Sequence, residues 1–354
     1  MPEKNKSIVI GARNENIDFL RAIGCIAVVI LHVNAWCFNV DKLSIGASIG
    51  NVLINTLVRF AVPCFMIITG TFIFDNADKY GWRVFYKRAV NKILSPTLYF
   101  SVLYVAYTIF KGLLEKENVV NESLAKWVQG IPFGHMWYMY MLIGFYVVVP
   151  VLCRIRNNVS RQVWASIGLI CLLASAVCFN GNLIAPNWAI CWIQYVGYFI
   201  IGDICGGGQK SKKNVKCVKY AKILCGLSIA LMCIYSLNAL NLGLRFNFQP
   251  QNILTATFAI SLYFIVYNSE TIYFPKTIRL IAIQSSNIYF IHGLIVNIVV
   301  IIMNRLQWQY KIPICFTIIA SIFVLACSYY YGIFHSYCIH LIRKKIMCTP
   351  PIIK

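Results

Sequence analysis

Ten apolar runs, most of them about 17–25 residues long, divide this chain and fix its fold class before any motif is read. They fall near residues 17–38, 47–74, 94–113, 136–153, 162–180, 188–206, 221–240, 251–269, 281–303 and 312–341. In lipid every backbone N–H and C=O must pair within its own segment, so such runs cross a membrane as helices. The second and last are long enough to tilt or to include interfacial turns. The chain has 354 residues, of which 59% are hydrophobic and 12% charged. These values exclude an ordinary soluble enzyme. The expectation is an all-α polytopic membrane helix bundle forming one domain over residues 1–354. Residues 1–16 are read as a cytoplasmic N-terminal segment, 17–341 as the bundle and 342–354 as a cytoplasmic tail.

The net charge of +21 invites a nucleic-acid reading. The basic residues lie between apolar runs, where topology signals belong, and so argue against nucleic acid. With ten spans and both termini cytoplasmic, 23 Lys and Arg fall on the cytoplasmic side and seven on the outer side, with Arg21 and Arg59 inside spans. A missed or extra span would invert this alternation halfway along, and no inversion occurs. The fifteen cysteines show no paired metal spacing and read as small buried hydrophobes, implying neither disulfides nor metal. The first run is too long for a cleavable signal peptide. No internal repeat is visible, which disfavours transporters built from repeated halves. Gly206–Lys213 reads as a basic linker.

Three ionisable residues, Asp18, Arg21 and His32, sit in the first run. Ionisable groups inside a span are costly and point to function by default. Arg21 and His32 are eleven residues apart, three helical turns plus about 20°, so they share one face roughly 16 Å apart along the axis. Asp18 can pair with Arg21 on that stripe. The bland alternative is a snorkelling Arg and a His that bonds a neighbouring helix. Arg59 is a second intramembrane charge. Pro63 frees a carbonyl near residue 59 and bends that helix, and Thr69-Gly70 allows close approach of another. The basic amphipathic stretch Tyr80–Pro96, with Arg83, Arg88 and Lys92, is either an anchor on anionic lipid or a polyanion site such as one for acyl-CoA phosphates. His135 and Trp137 open the fourth span, where an aromatic belt is the simpler reading. Tyr289 and His292 share a face of the ninth. His335 and His340 tell little.

Together these stretches resemble the acyltransferase-3 family, ten-helix membrane O-acyltransferases that modify extracytoplasmic glycans and related molecules. The likeness spans nearly the whole chain. The family's first helix carries D-x-L-R followed by ten residues and then His, here Asp18, Leu20, Arg21 and His32. Its second reads R-x-x-V-P-x-F-F-x-x-S-G, here Arg59, Val62, Pro63, Phe65, Thr69 and Gly70. The fourth, sixth and ninth are matched by Trp137, Tyr138, Tyr140, Tyr146 and Pro150, by Gly197, Tyr198, Phe199 and Gly202, and by Tyr289 and His292. Each motif alone is weak, whereas five in order are strong. Two departures stand out. The R-x-x-R-I-x-P loop is degenerate, with Ala89, Lys92-Ile93 and a shifted Pro96, so that Arg88 supplies the missing charge. The Glu of many polysaccharide-modifying members is replaced by Ile143-Gly144, which favours a smaller or lipid-linked acceptor.

The resemblance implies acyl-CoA, acetyl-CoA foremost, as cytoplasmic co-substrate, its phosphates on Arg88, Lys92 and Arg83, and no metal. Catalytic roles fall on His32 as general base, Arg21 and Asp18. Acceptor binding falls on Arg59, His135, Trp137, Tyr289 and His292, with Arg59 either stabilising the developing oxyanion or holding an anionic acceptor. A covalent acyl-His stays open. Implied partners are membrane lipids and a carbohydrate or lipid-linked acceptor in a bacterial inner or plasma membrane, with a homo-oligomer left open. The chief rival is a transporter or exchanger of a small molecule such as an amino acid. The other membrane-bound O-acyltransferase family lacks the Arg-to-His spacing, and a structural scaffold would not need three ionisable groups on one span.

Overall fold

The computed structural model describes residues 14–38, 42–178, 189–206, 215–243 and 248–347, and every regular element among them is helical. The elements are α1 (Glu15–Trp36), α2 (Ile45–Val58), α3 (Ala61–Ala89), a π turn (Val90–Leu94), α4 (Ser95–Glu115), α5 (Val120–Val128), α6 (Trp137–Asn158), α7 (Arg161–Cys178), a 3₁₀ turn (Cys191–Tyr195), α8 (Val196–Gly206), α9 (Val215–Asn241), α10 (Ile253–Asn268), α11 (Lys276–Leu306) and α12 (Pro313–Met347). Among the described residues seven helical stretches are long and apolar enough to cross a membrane; one of them, Ile45–Glu115, runs through α2, α3 and α4. α10, at 16 residues, is shorter. The chain is thus an all-helical membrane protein. Apart from Gly206, the expected basic linker lies outside the described residues, as do residues 1–13 and 348–354 of the expected terminal segments.

The expected second span, 47–74, is not one helix. α2 ends at Val58 and α3 begins at Ala61, across a turn at Arg59-Phe60. Pro63 explains the break. It has no N–H and its ring crowds the carbonyl four residues back, so a helix cannot pass through it from α2 undisturbed. In the first turn of a new helix that missing N–H has no partner to lose. α3 then continues past residue 74 to Ala89, bending at Gly81 (φ 70°, ψ 162°), and the π turn joins it to α4. Tyr80–Pro96 is therefore helical on either side of a kink at Gly81, and it is continuous with the bundle. α5, expected only as part of an outer loop, is a short helix between α4 and α6.

α1 is the central element. It packs against α2, α3, α10, α11 and α12. Asn14 caps it, accepting from Ile17 N at 3.2 Å, and Leu20, Ala22, Val29 and Val33 are fully enclosed. Between helices in lipid the hydrophobic effect contributes little, so small residues and hydrogen bonds hold the bundle. At Gly70 and Gly202 an added Cβ would overlap the carbonyl oxygens of Phe199 and Ile67, so α3 and α8 meet backbone to backbone. Asn34 and Asn51 tie α1 to α2 through Asn51 Nδ2 to Asn34 Oδ1 (2.9 Å) and Asn34 Nδ2 to Asn51 O (3.0 Å). Thr71 and Tyr263 join α3 to α10 at 2.7 Å. Arg156 of α6 donates to Asp75 (2.6 Å), Asp78 (3.2 Å) and Asp203 (2.8 Å), and Trp164 also donates to Asp203 (2.9 Å). Four helices are pinned at one end by that cluster.

Candidate active site

A cavity of about 690 Å³ runs through the bundle beside α1. Because α3 runs antiparallel to α1 along it, the two helices share its length residue by residue. Arg21, Asn76 and Lys92 line one end; His32, Trp36, Arg59 and Trp137 line the other. A second recess of about 660 Å³ adjoins the first end, shares Arg21, Asn76, Lys92 and Ser285 with it, and opens on Tyr80 and Arg88. No Asp or Glu among the described residues lines either space. The whole path is therefore bordered by cationic and neutral groups, and its ends are attractive to anions.

Asp18 is buried, 2% exposed, and pairs with Arg21 at 3.2 Å. That bond spans one helical turn and holds the guanidinium, which also lies 5.8 Å from the centre of the Phe72 ring. Arg88 sits 3.8 Å over the Tyr80 ring at the recess. Lys92, in the π turn, lines both spaces. Arg83 is exposed and lines neither space. The charge expected from the degenerate loop is thus brought to the path by Arg88 and Lys92, and Arg83 stays apart.

At the opposite end three histidines from three distant parts of the chain converge. Ring centres lie 4.9 Å apart for His32 and His292, 4.6 Å for His135 and His292, and 6.0 Å for His32 and His135. His32 Nδ1 is 2.9 Å from Val28 O and 3.1 Å from His292 Nε2. His292 is fully enclosed, with Nδ1 2.6 Å from Tyr289 O. It is in the wall, and among the cavity-lining groups it touches His32. His135 is buried at 2% exposure with neither ring nitrogen in hydrogen-bond geometry. The Tyr289 hydroxyl donates to His135 O. Arg59 donates from Nε and Nη2 to Asn55 Oδ1, at 2.9 and 2.7 Å. Trp137 packs near Tyr195, 5.6 Å between centres. His335 lies elsewhere, stacked on Tyr331, and the His340 side chain is outside the described residues. Among the described residues no group of His, Cys, Asp or Glu is arranged to hold a metal ion, and the cysteines are free.

Sequence reasoning missed several lining or supporting groups. Trp36 was legible: it lies four residues after His32, on the same helical face, and its ring is 4.7 Å from the imidazole. Tyr104 was not. Its hydroxyl donates to Phe290 O (2.7 Å) and accepts from Leu294 N (3.2 Å), bracing the turn of α11 that carries His292, and no local pattern marks it. Ser285 and Ser286 border both spaces, and no spacing in the sequence singles them out.

An intramembrane path with basic groups at one end and an imidazole at the other suits transfer of a group from an anionic carrier to an alcohol. Comparison with known families agrees. The acyltransferase-3 family model, described as an acyltransferase domain, matches residues 14–333. No curated protein and no solved structure matches the chain. By that match over nearly its whole length, the chain belongs to the acyltransferase-3 family of membrane acyltransferases.

Proposed function

We propose that this acyltransferase takes an acetyl group from cytoplasmic acetyl-CoA and delivers it to a hydroxyl of an extracytoplasmic or lipid-linked carbohydrate or small acceptor. The family match favours acyl transfer over the transport reading. The observation that carries the proposal is the single path from Arg88, Lys92 and Arg21 to His32. A CoA phosphate group is suited to Arg88 and Lys92, which offer it charge-assisted hydrogen bonds at the recess. Beyond them the pantetheine arm runs along α1. The roughly 16 Å between Arg21 and His32 matches the extended reach of such an arm.

In this reading His32 takes the proton of the acceptor hydroxyl, and the oxygen attacks the thioester carbon. Arg59, restrained by Asn55 and lining the His32 end, stabilises the developing oxyanion or an anionic acceptor. Trp137 and Trp36 offer flat apolar faces to the acceptor. Asp18 keeps Arg21 oriented toward the path.

The test is acetyl-CoA consumption and label transfer into the lipid and glycan fractions of membranes. Wild-type and His32→Ala protein are compared at equal abundance. Loss of a general base predicts a fall of about 10²–10⁴-fold. Normal transfer by His32→Ala would sink the reading.

A further inference from the structure

The His32–His292 contact has a direction that follows from its surroundings. Carbonyl oxygens only accept hydrogen bonds. His292 Nδ1 faces Tyr289 O at 2.6 Å and Ile288 O at 3.2 Å, so it carries the proton, and Nε2 of the neutral ring is a lone pair. His32 Nδ1 faces two acceptors, Val28 O at 2.9 Å and that His292 Nε2 at 3.1 Å. It must therefore donate to both. The remaining nitrogen of His32, Nε2, is then unprotonated. The hydrogen bonds of His32 among the described residues are both made by Nδ1, and its ring borders the cavity.

From this geometry we infer that His32 and His292 act as a two-ring base: His32 Nε2 presents its lone pair to the cavity, and His292 is the positioning residue that receives the Nδ1 proton. The inference rests on the acyl-transfer reading for its chemistry but not for its geometry. The acceptor O–H bond breaks and its proton goes to His32 Nε2. The Nδ1 proton of His32 passes to His292 Nε2, leaving a His292 cation whose Nδ1–H faces two carbonyls. The freed oxygen forms the ester bond, the C–S bond breaks, and the departing thiolate takes back the proton by the reverse path. No charge is left on the ring that faces substrate. Tyr104 serves the arrangement by bracing the turn of α11 that bears His292.

The experiment uses full-length protein in lipid nanodiscs with ¹⁵N-labelled histidine. Wild type should show a ¹⁵N–¹⁵N coupling across the His32–His292 hydrogen bond, absent in His292→Gln. Diethyl pyrocarbonate, which attacks an unprotonated imidazole nitrogen, should label His32. Labelling should fall about tenfold in His292→Phe, the equivalent of one lost hydrogen bond, and recover in His292→Gln, which retains an acceptor. Acetyl-CoA turnover should fall in both variants, because the Gln amide accepts a hydrogen bond from His32 Nδ1 but cannot take up its proton. A His32 proton on Nε2, no coupling, or labelling indifferent to His292→Phe overturns the inference. Absent turnover with the coupling and labelling intact would instead remove the acyl-transfer reading and leave the pair standing.

Discussion

A methyl group at Gly293 would sit 2.5 Å from Nδ1 of His135 and 3.2 Å from the Tyr104 hydroxyl, so the histidine cluster is seated on a glycine. Gly293→Ala must push the His135 ring off the others. Overpacking of this kind costs about 1–3 kcal/mol, and a lower melting temperature with reduced turnover is the expected result. Activity equal to wild type would mean that His135 has slack the contacts do not show. Arg59 offers a second residue-scale prediction. Arg59→Lys keeps the charge but loses the forked grip on Asn55, so transfer should fall, and Arg59→Gln should fall further, with kcat as the measured quantity. How much of this was legible depends on distance along the chain. Asp18, Arg21 and His32 share one helix, so their spacing alone aligned them with one wall. His135 and His292 come from α6's entrance and α11; each looked structural in isolation, because nothing local says that two remote helices meet at His32.

Among elements, the α3–α8 contact carries the clearest expectation. Gly202→Ala puts a Cβ onto Ile67 O, backbone that cannot swing aside, and should destabilise the protein more than Gly226→Ala, where a Cβ meets nothing within 4 Å. Thermal melting in detergent reads the difference, and equal melting temperatures would contradict the close approach. The Arg156 cluster is the other staple. Asp203 is 4% exposed, so Arg156→Met leaves a carboxylate stranded with Trp164 alone, at a cost of about 3 kcal/mol. The positive-inside count placed Arg156 with the loop cations; its partners lie on α3 and α8, which periodicity cannot reveal. Helix existence was readable because apolar length decides it. The break at Arg59-Phe60 was half readable: Pro63 announced a disturbance, but whether the chain kinks or starts anew depends on what packs there. The continuation of α3 beyond the kink at Gly81 into the π turn was hidden by polar composition, since those residues read as a surface segment.

For the whole molecule, the cationic path and the apolar exterior divide the work. Large apolar side chains on α9 and α12, among them Leu231, Ile234, Ile319 and Phe323, are exposed, as lipid-facing helices require. The two arginines inside the expected spans, Arg21 and Arg59, line the inner path instead. Reversing the charge of the path with Arg88→Glu and Lys92→Glu together should raise KM for acetyl-CoA with a smaller change in kcat, and should flatten the dependence of KM on salt. Arg83→Glu, remote from both spaces, should do much less. The central claim concerns where a thioester carried in past Arg88 and Lys92 comes to rest. Bromoacetyl-CoA, which alkylates the nucleophile nearest its acyl carbon, measures this directly when the modified residue is mapped by mass spectrometry. The account predicts alkylation of His32, suppressed by excess CoA and lost in the doubly reversed variant. Alkylation confined to Lys92 and the recess rim, with His32 untouched, would contradict it.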